Sequence, residues 1–293
     1  MINGMIKKIF GAVGLTVGRK IAVDYKLWLY KKLYSEESIR KKRFYNIGAG
    51  AFYHPCWTNI DHLSRWYEMN IANTFKGIDY DLFSLESIPV ESDAAEIIYT
   101  SHTIEHVNNE AVQNLFNESF RMLKKGGIIR IVTPDIDLSY RAYKENDRDF
   151  YYWIDWYSSD KDYKRVNIRQ PLNKETTAQI FLEDFASQAS EIPLHGSEKR
   201  LSDEEIKKLF EEKSFEEALD YCISFCRVDV QKQYPENHLN WFTEKKLRQM
   251  LENAGFKIIY RSAYGQSHSP ALRDLNFFDC TMPPVSMYME AKK

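Results

Sequence analysis

Cysteine is scarce in this 293-residue chain: Cys56, Cys222, Cys226 and Cys280 are all there is. Four thiols so spaced make neither a disulfide framework nor a paired CxxC metal signature, and a reducing cytosol is the natural setting. Cys222 and Cys226 share a helix face but bring no third or fourth ligand, so they are read as buried thiols. Long apolar runs are missing as well. The longest uncharged one, residues 9–18, has ten residues, where about 20 are needed to span a bilayer. No A-x-A-like cleavage site follows it, and Arg19 and Lys20 come next, which argues against a secretory leader. Repeats and low-complexity tracts are absent too. With 44% hydrophobic and 28% charged residues, the composition is that of a folded globular chain.

Net charge is nearly absent, at -2, but it is unevenly spread. Residues 1–43 hold eleven Lys/Arg against three acids, or +8, so the other 250 residues carry -10. An acidic body with no basic stripe and no NPPY-like motif speaks against nucleic-acid binding. The basic segment also contains Ile6, Ile9, Phe10, Val13, Val17, Ile21, Leu27, Trp28 and Leu33. Two readings stay open for it: a helix lying on an anionic membrane surface, or a helix packed on its own domain.

What is present is an alternation of short β-rich runs with helical ones, the pattern of a parallel sheet covered on both faces. "RFYNIG", "WTNID", "DYDLFS", "AEIIYTS" and "IIRIVTP" read as five successive strands. Over residues 108–124 the apolar positions Val112, Leu115, Phe116, Phe120 and Leu123 recur at helical spacing, with Gly126 and Gly127 as the stop. Later, Thr243 caps a helix that ends at Gly255, and "FKIIYRSA" and "VSMYMEAK" supply two closing strands. The expected division is a basic segment over 1–43, a core of 44–135 plus 241–293, and a helical insert over 136–240. The insert is aromatic-rich and acidic, with Ser202 and Glu205 in capping-box spacing.

The informative stretch is "FYNIGAGAFYHPCWTNID", residues 44–61, in which a strand runs straight into Gly48-Ala49-Gly50. Glycine lets backbone come close to a ligand, and ligands of open α/β sheets sit beyond the carboxyl ends of such strands. A dinucleotide site wants G-x-G-x-x-G and an acid roughly 20 residues on. Here the third glycine position is Tyr53, and Asp61 comes thirteen residues after Gly48. A P-loop is excluded because no Gly-Lys-Ser/Thr follows. There remains a cofactor with a ribose but no phosphates, whose two hydroxyls would be held by Asp61; S-adenosylmethionine fits that description. A plain strand turn with a surface aspartate is the alternative.

Further blocks agree, and with them the chain resembles the class I S-adenosylmethionine-dependent methyltransferases, specifically a bacterial branch found among genes for cell-surface polysaccharides. The blocks are "YNIGAGAFYHPCWTNID", "DYDLFSLESIPVESDAAEIIYTSHTIEHV", "RMLKKGGIIRIVTPDI", "NHLNWFTEKKLRQMLENAGF" and "VSMYMEAKK". The resemblance implies an α/β fold: a Rossmann-like seven-stranded sheet with the helical insert placed between the fifth strand and the following helix. It also implies that Gly48, Ala49 and Gly50 wrap the methionine portion of S-adenosyl-L-methionine, that Asp61 holds its ribose, and that Asp81 and Leu82 border the adenine. Ser101 and His102 would lie beneath the cofactor. The family often has a third glycine or a cysteine in the first turn, where this chain has Ala49 and Ala51.

Methyl transfer is a direct displacement, so the enzyme aligns the reactants and removes a proton when the acceptor is a hydroxyl. Three residues are candidates for that base. His106 follows the fourth strand and otherwise caps a local turn while Glu105 pairs with a Lys or Arg. Asp135 ends the fifth strand and, with Asp137, otherwise serves as a magnesium ligand or as a turn aspartate after Pro134. His238 opens the last block and otherwise makes a structural hydrogen bond. No metal-ligand set is assigned. "FYYWIDWY" (150–157) could stack on a sugar ring, although its helical spacing favours packing. The leading expectation is O-methylation of a sugar hydroxyl in a surface glycan or its precursor, in the cytoplasm or at the inner face of the membrane. The alternatives are a small-metabolite methyltransferase whose insert acts as a lid, and an inactive methyltransferase fold that serves as a binding partner. Retention of Gly48, Gly50 and Asp61 argues against complete loss of catalysis.

Overall fold

The strands assemble into one seven-stranded sheet of order β3-β2-β1-β4-β5-β7-β6 in a computed structural model that describes residues 24–63, 76–159 and 166–293. The strands are β1 (Phe44–Ile47), β2 (Trp57–Asp61), β3 (Gly77–Asp79), β4 (Ala95–Ser101), β5 (Leu123–Pro134), β6 (Ile258–Arg261) and β7 (Ser286–Lys292). All are parallel except β7, which runs antiparallel to both β5 and β6. Every residue of β1 is buried and β4 is buried up to its last residue, as expected of central strands covered on both faces. The order reverses at β1, which lies between β2 and β4. A crevice therefore opens beyond the carboxyl ends of β1 and β4, the switch point where open α/β sheets take ligands.

Two sequence expectations need correction. The third strand is Gly77–Asp79, not "DYDLFS", because the Asp81 carboxylate accepts the backbone N–H of Phe83 and turns Leu82–Ser84 into a 3-10 helix. The helix expected over 108–124 spans Asn109–Met122 and is not stopped by the glycines. Leu123 is already extended and pairs with Ala95, so Gly126 and Gly127 lie inside β5, where a register shift in the β4 ladder absorbs the extra residues.

That helix has the Asn108 side chain as its cap, accepting from Ala111 N at 3.0 Å, a contribution of about 1 kcal/mol. Its face of Val112, Leu115, Phe116 and Met122 is buried with Leu247 and Leu251 of the helix Glu244–Ala254; each such side chain contributes about 1.5–3 kcal/mol. Residues 136–240 contain helices and 3-10 turns around a separate core that includes Tyr151, Phe181, Phe185 and Phe210. Within it, "YWIDWY" is a 3-10 helix with Trp153 and Ile154 buried and Trp156 exposed. The Ser202–Glu205 capping box is formed. Cys222 is buried on the helix Phe215–Ile223, whereas Cys226 lies past its end; burial raises both thiols, that of Cys226 to about 12.

Most of the basic segment, residues 1–23, lies outside the described residues. Its remainder packs on the sheet: Tyr30, on the helix Leu27–Leu33, is buried and accepts the indole N–H of Trp57 at 2.7 Å. Trp28 on the same helix is 62% exposed. Among the described residues, no helix is long and apolar enough to cross a membrane.

Candidate active site

The turn after β1 is built for close approach. Gly48 and Gly50 both sit at positive φ, +68° and +54°, a conformation that side chains other than glycine rarely adopt. Space forbids a side chain at Gly48 as well, since a Cβ there would lie 2.1 Å from Thr103 Oγ1. Among the described residues no helix intervenes between this turn and β2. The two are instead tied together: Gly50 N donates to Asp61 Oδ2 at 2.8 Å and Gly48 N to the Ile60 carbonyl at 2.9 Å.

A cavity of about 490 Å³ opens over these strand ends. Of the residues singled out from sequence, Gly48, Gly50, Asp61, Asp81, Leu82, His102 and His106 line it, whereas Ala49, Ser101, Asp135 and His238 do not. Its far wall comes from the insert. Gln231 and Lys232, on the helix Val228–Gln233, face the strand ends together with Glu236, and Lys232 Nζ reaches Asp81 Oδ2 at 2.9 Å. Lys232 is half exposed, so this ion pair is worth little by itself. No local signal marks Gln231, Lys232 or Glu236, because their place depends on how the insert folds back.

Beside the cavity a cluster of titratable groups is packed. His102, at φ +49°, directly follows β4, and a 3-10 turn, Ile104–His106, comes next. Glu105 is 1% exposed and, among the described residues, pairs with no Lys or Arg. Its Oε2 accepts from Thr133 Oγ1 at 3.2 Å. Its Oε1 lies 3.1 Å from His102 Nδ1 but, among the described residues, meets no donor along a hydrogen-bond direction. The His106 and His238 rings meet edge to face, 4.6 Å between centroids. Each is held by a backbone carbonyl: His106 Nδ1 lies 3.0 Å from Asn237 O and His238 Nδ1 2.7 Å from Asp184 O. A carbonyl only accepts, so Nδ1 carries the proton and Nε2 is the unprotonated nitrogen of each neutral ring.

Burial, and then the neighbouring His238, push His106 down to about 4. Burial also lowers His238. Burial by itself would raise Glu105, but the adjacent His102 outweighs it and holds the carboxyl down at about 2. In the insert, burial raises Asp184 to about 6 and Glu183 to about 8.

A sequence profile described as a methyltransferase domain matches residues 37–261, well over half of the chain. The chain belongs to this methyltransferase family. It is an enzyme whose methyl donor is S-adenosylmethionine. Solved structures with a slight likeness to it include S-adenosylmethionine-dependent methyltransferases from Thermotoga maritima and Mesorhizobium loti. The first is 12% identical with a TM-score of 0.39, covering 92% of this chain and 94% of its own. The second is also 12% identical with a TM-score of 0.39, covering 91% and 96%. A third, from Archaeoglobus fulgidus, has 12% identity and a TM-score of 0.38, covering 92% and 100%. Likeness at this level bears on no residue's role. No curated protein matches the chain significantly.

The cavity of this methyltransferase suits that donor: its volume is in the range of small-molecule sites, its floor excludes a Cβ at Gly48, and a carboxylate stands at the end of β2. Asp135 does not join the histidine cluster. It is 1% exposed, its Oδ1 accepts the N–H groups of Asp137 and Leu138 at the start of the helix Ile136–Glu145, and its Oδ2 pairs with Arg261 at 2.6 Å. One oxygen is thus committed to the helix start and the other to Arg261 on β6. Sequence reasoning had Glu105 only as a partner for a Lys or Arg, and Thr103 not at all.

Proposed function

We propose that this methyltransferase O-methylates a sugar hydroxyl of a surface glycan or its precursor. The observation that supports it is the cluster of Glu105, His106 and His238 beside the cavity, with His106 in the cavity wall and its unprotonated Nε2 directed away from the Asn237 carbonyl. A hydroxyl, unlike an amine, must lose its proton as it is methylated, and a cluster of this kind serves that need.

In this reading Gly48, Ala49 and Gly50 follow the methionine portion of the donor, Asp61 takes both ribose hydroxyls, and Asp81 and Leu82 border the adenine above Ser101 and His102. Bound there, S-adenosylmethionine supplies a methyl group on a positively charged sulfur. Lys232 ties the insert to Asp81 across the adenine end, leaving the acceptor to enter beside His106 between core and insert. The choice of a sugar rests on the resemblance to polysaccharide-associated relatives. Peripheral contact with an anionic membrane, where lipid-linked glycan precursors reside, is supported by exposed Leu27, Trp28 and Leu33 beside Lys31 and Lys32 on the first described helix.

The test is release of S-adenosylhomocysteine with a panel of sugars, lipid-linked sugars, small phenols and amines. Turnover confined to amines would overturn O-methylation. Turnover with phenols alone would support the small-metabolite reading instead.

A further inference from the structure

We propose that Glu105, His106 and His238 form a binding site for a divalent first-row transition metal ion. The inference rests on the methyltransferase reading only for its use, not for its geometry. One ligand atom from each side chain lies within 4.8 Å of the other two, a spacing that a single ion can bridge.

Three features make this a built site. First, both imidazoles are oriented as metal ligands usually are, with Nδ1–H donated to a backbone carbonyl so that Nε2 offers its lone pair. Second, the buried Glu105 carboxylate is satisfied on one side only. Thr133 holds Oε2, and among the described residues Oε1 has no donor along a hydrogen-bond direction, only His102 Nδ1 off-axis at 3.1 Å. A buried carboxylate oxygen in that state is costly unless a proton or a cation meets it. Third, the ligand-bearing segments are locked to each other and to the insert. Leu239 N donates to the Glu105 carbonyl at 2.9 Å, and His238 N donates to Ser187 Oγ at 2.8 Å. The ligands are therefore positioned before an ion arrives.

The donor set selects the ion. Two imidazole nitrogens with one carboxylate suit zinc, manganese or ferrous iron, whereas magnesium and calcium prefer all-oxygen shells. Three protein ligands leave coordination positions open. His106 also lines the cavity, so an open position can be reached from it. A hydroxyl coordinated there becomes far more acidic and passes its proton to solvent water. The three side chains then act as ligands, and none has to act as the base. The competing arrangement is a proton on His102 Nδ1 shared with Glu105 Oε1, which lies 3.1 Å away.

Zinc titration of the chelator-treated full chain by calorimetry separates the two. The expected result is one bound equivalent. Glu105→Gln, His106→Ala and His238→Ala should each weaken binding by tenfold or more, and His195→Ala, an exposed histidine elsewhere, should not. S-adenosylhomocysteine binding, measured in parallel on Glu105→Gln and His238→Ala, reports whether those variants fold. Wild-type protein that binds S-adenosylhomocysteine but no zinc overturns the metal site and leaves the methyltransferase reading in place. Zinc binding without S-adenosylhomocysteine binding does the reverse. Zinc binding that survives the substitutions in folded variants also overturns the site.

Discussion

Replacing Gly48 by alanine tests whether the turn after β1 is dictated by sterics. A new Cβ would stand 2.1 Å from Thr103 Oγ1, 2.3 Å from Cγ2 and 2.7 Å from Cβ, at a residue whose φ is +68°. Two penalties add: about 1–2 kcal/mol for a side chain in the left-handed region and about 1–3 kcal/mol for overpacking. Urea unfolding should therefore show a loss of about 2–5 kcal/mol. Thr103 cannot swing away freely, because its one hydroxyl proton is shared between the carbonyls of Ser101, 3.2 Å away, and Ile47, 3.4 Å away. Thr103→Ala by itself should cost about 1 kcal/mol for those hydrogen bonds. In the double variant most of the overlap is removed while the φ penalty stays, so the combined loss should fall short of the sum by about 0.5–3 kcal/mol. Calorimetry with S-adenosylhomocysteine should show weakened binding in Gly48→Ala and partial recovery in the double variant. Strict additivity, or wild-type stability of Gly48→Ala, would refute the steric account.

Asp61→Ala should weaken S-adenosylmethionine binding by about 1–3 kcal/mol, the scale of hydrogen bonds to a charged group; unchanged affinity would remove Asp61 from the ribose site. Arg130 is fully buried between Asp279 and Glu290, so Arg130→Met should cost about 3–5 kcal/mol of stability by leaving two buried carboxylates without a counter-charge. Thermal unfolding checks it, with cofactor affinity retained wherever the variant is folded. His54 is lowered from 6.5 to about 4 by burial, and its Nδ1 accepts the N–H of Cys56. The unfolded chain therefore takes up that proton first as pH falls, and the His54 contribution, full above about 6.5, is lost on the way down to about 4. Urea unfolding at pH 7 and pH 5 should reveal about 1 kcal/mol of such loss once screening is allowed for, and His54→Phe should lack it. Anionic vesicles should retain the protein less as salt rises, because screening acts over about 8 Å at physiological ionic strength; equal retention on neutral vesicles would exclude the basic segment as the cause.

What the sequence determined by itself is local. β1, β2, β4 and β7 are legible because each is a short apolar run bounded by polar or turn residues, and the glycine turn with Asp61 is legible because backbone conformation there depends on neighbours in the chain. The same reasoning fails at β3 and at the start of β5, where Asp81 capping Phe83 and Leu123 pairing with Ala95 override the pattern. Tertiary structure alone decided the chemistry of the candidate site. It joined His106 to Asn237 across 131 residues and Asp81 to Lys232 across 151. It withdrew Asp135 into a cap and an ion pair, and it left one oxygen of Glu105 facing two imidazoles. Burial, charge and ligand geometry are properties of side chains brought together through space, and a pattern of spacings along the chain does not contain them.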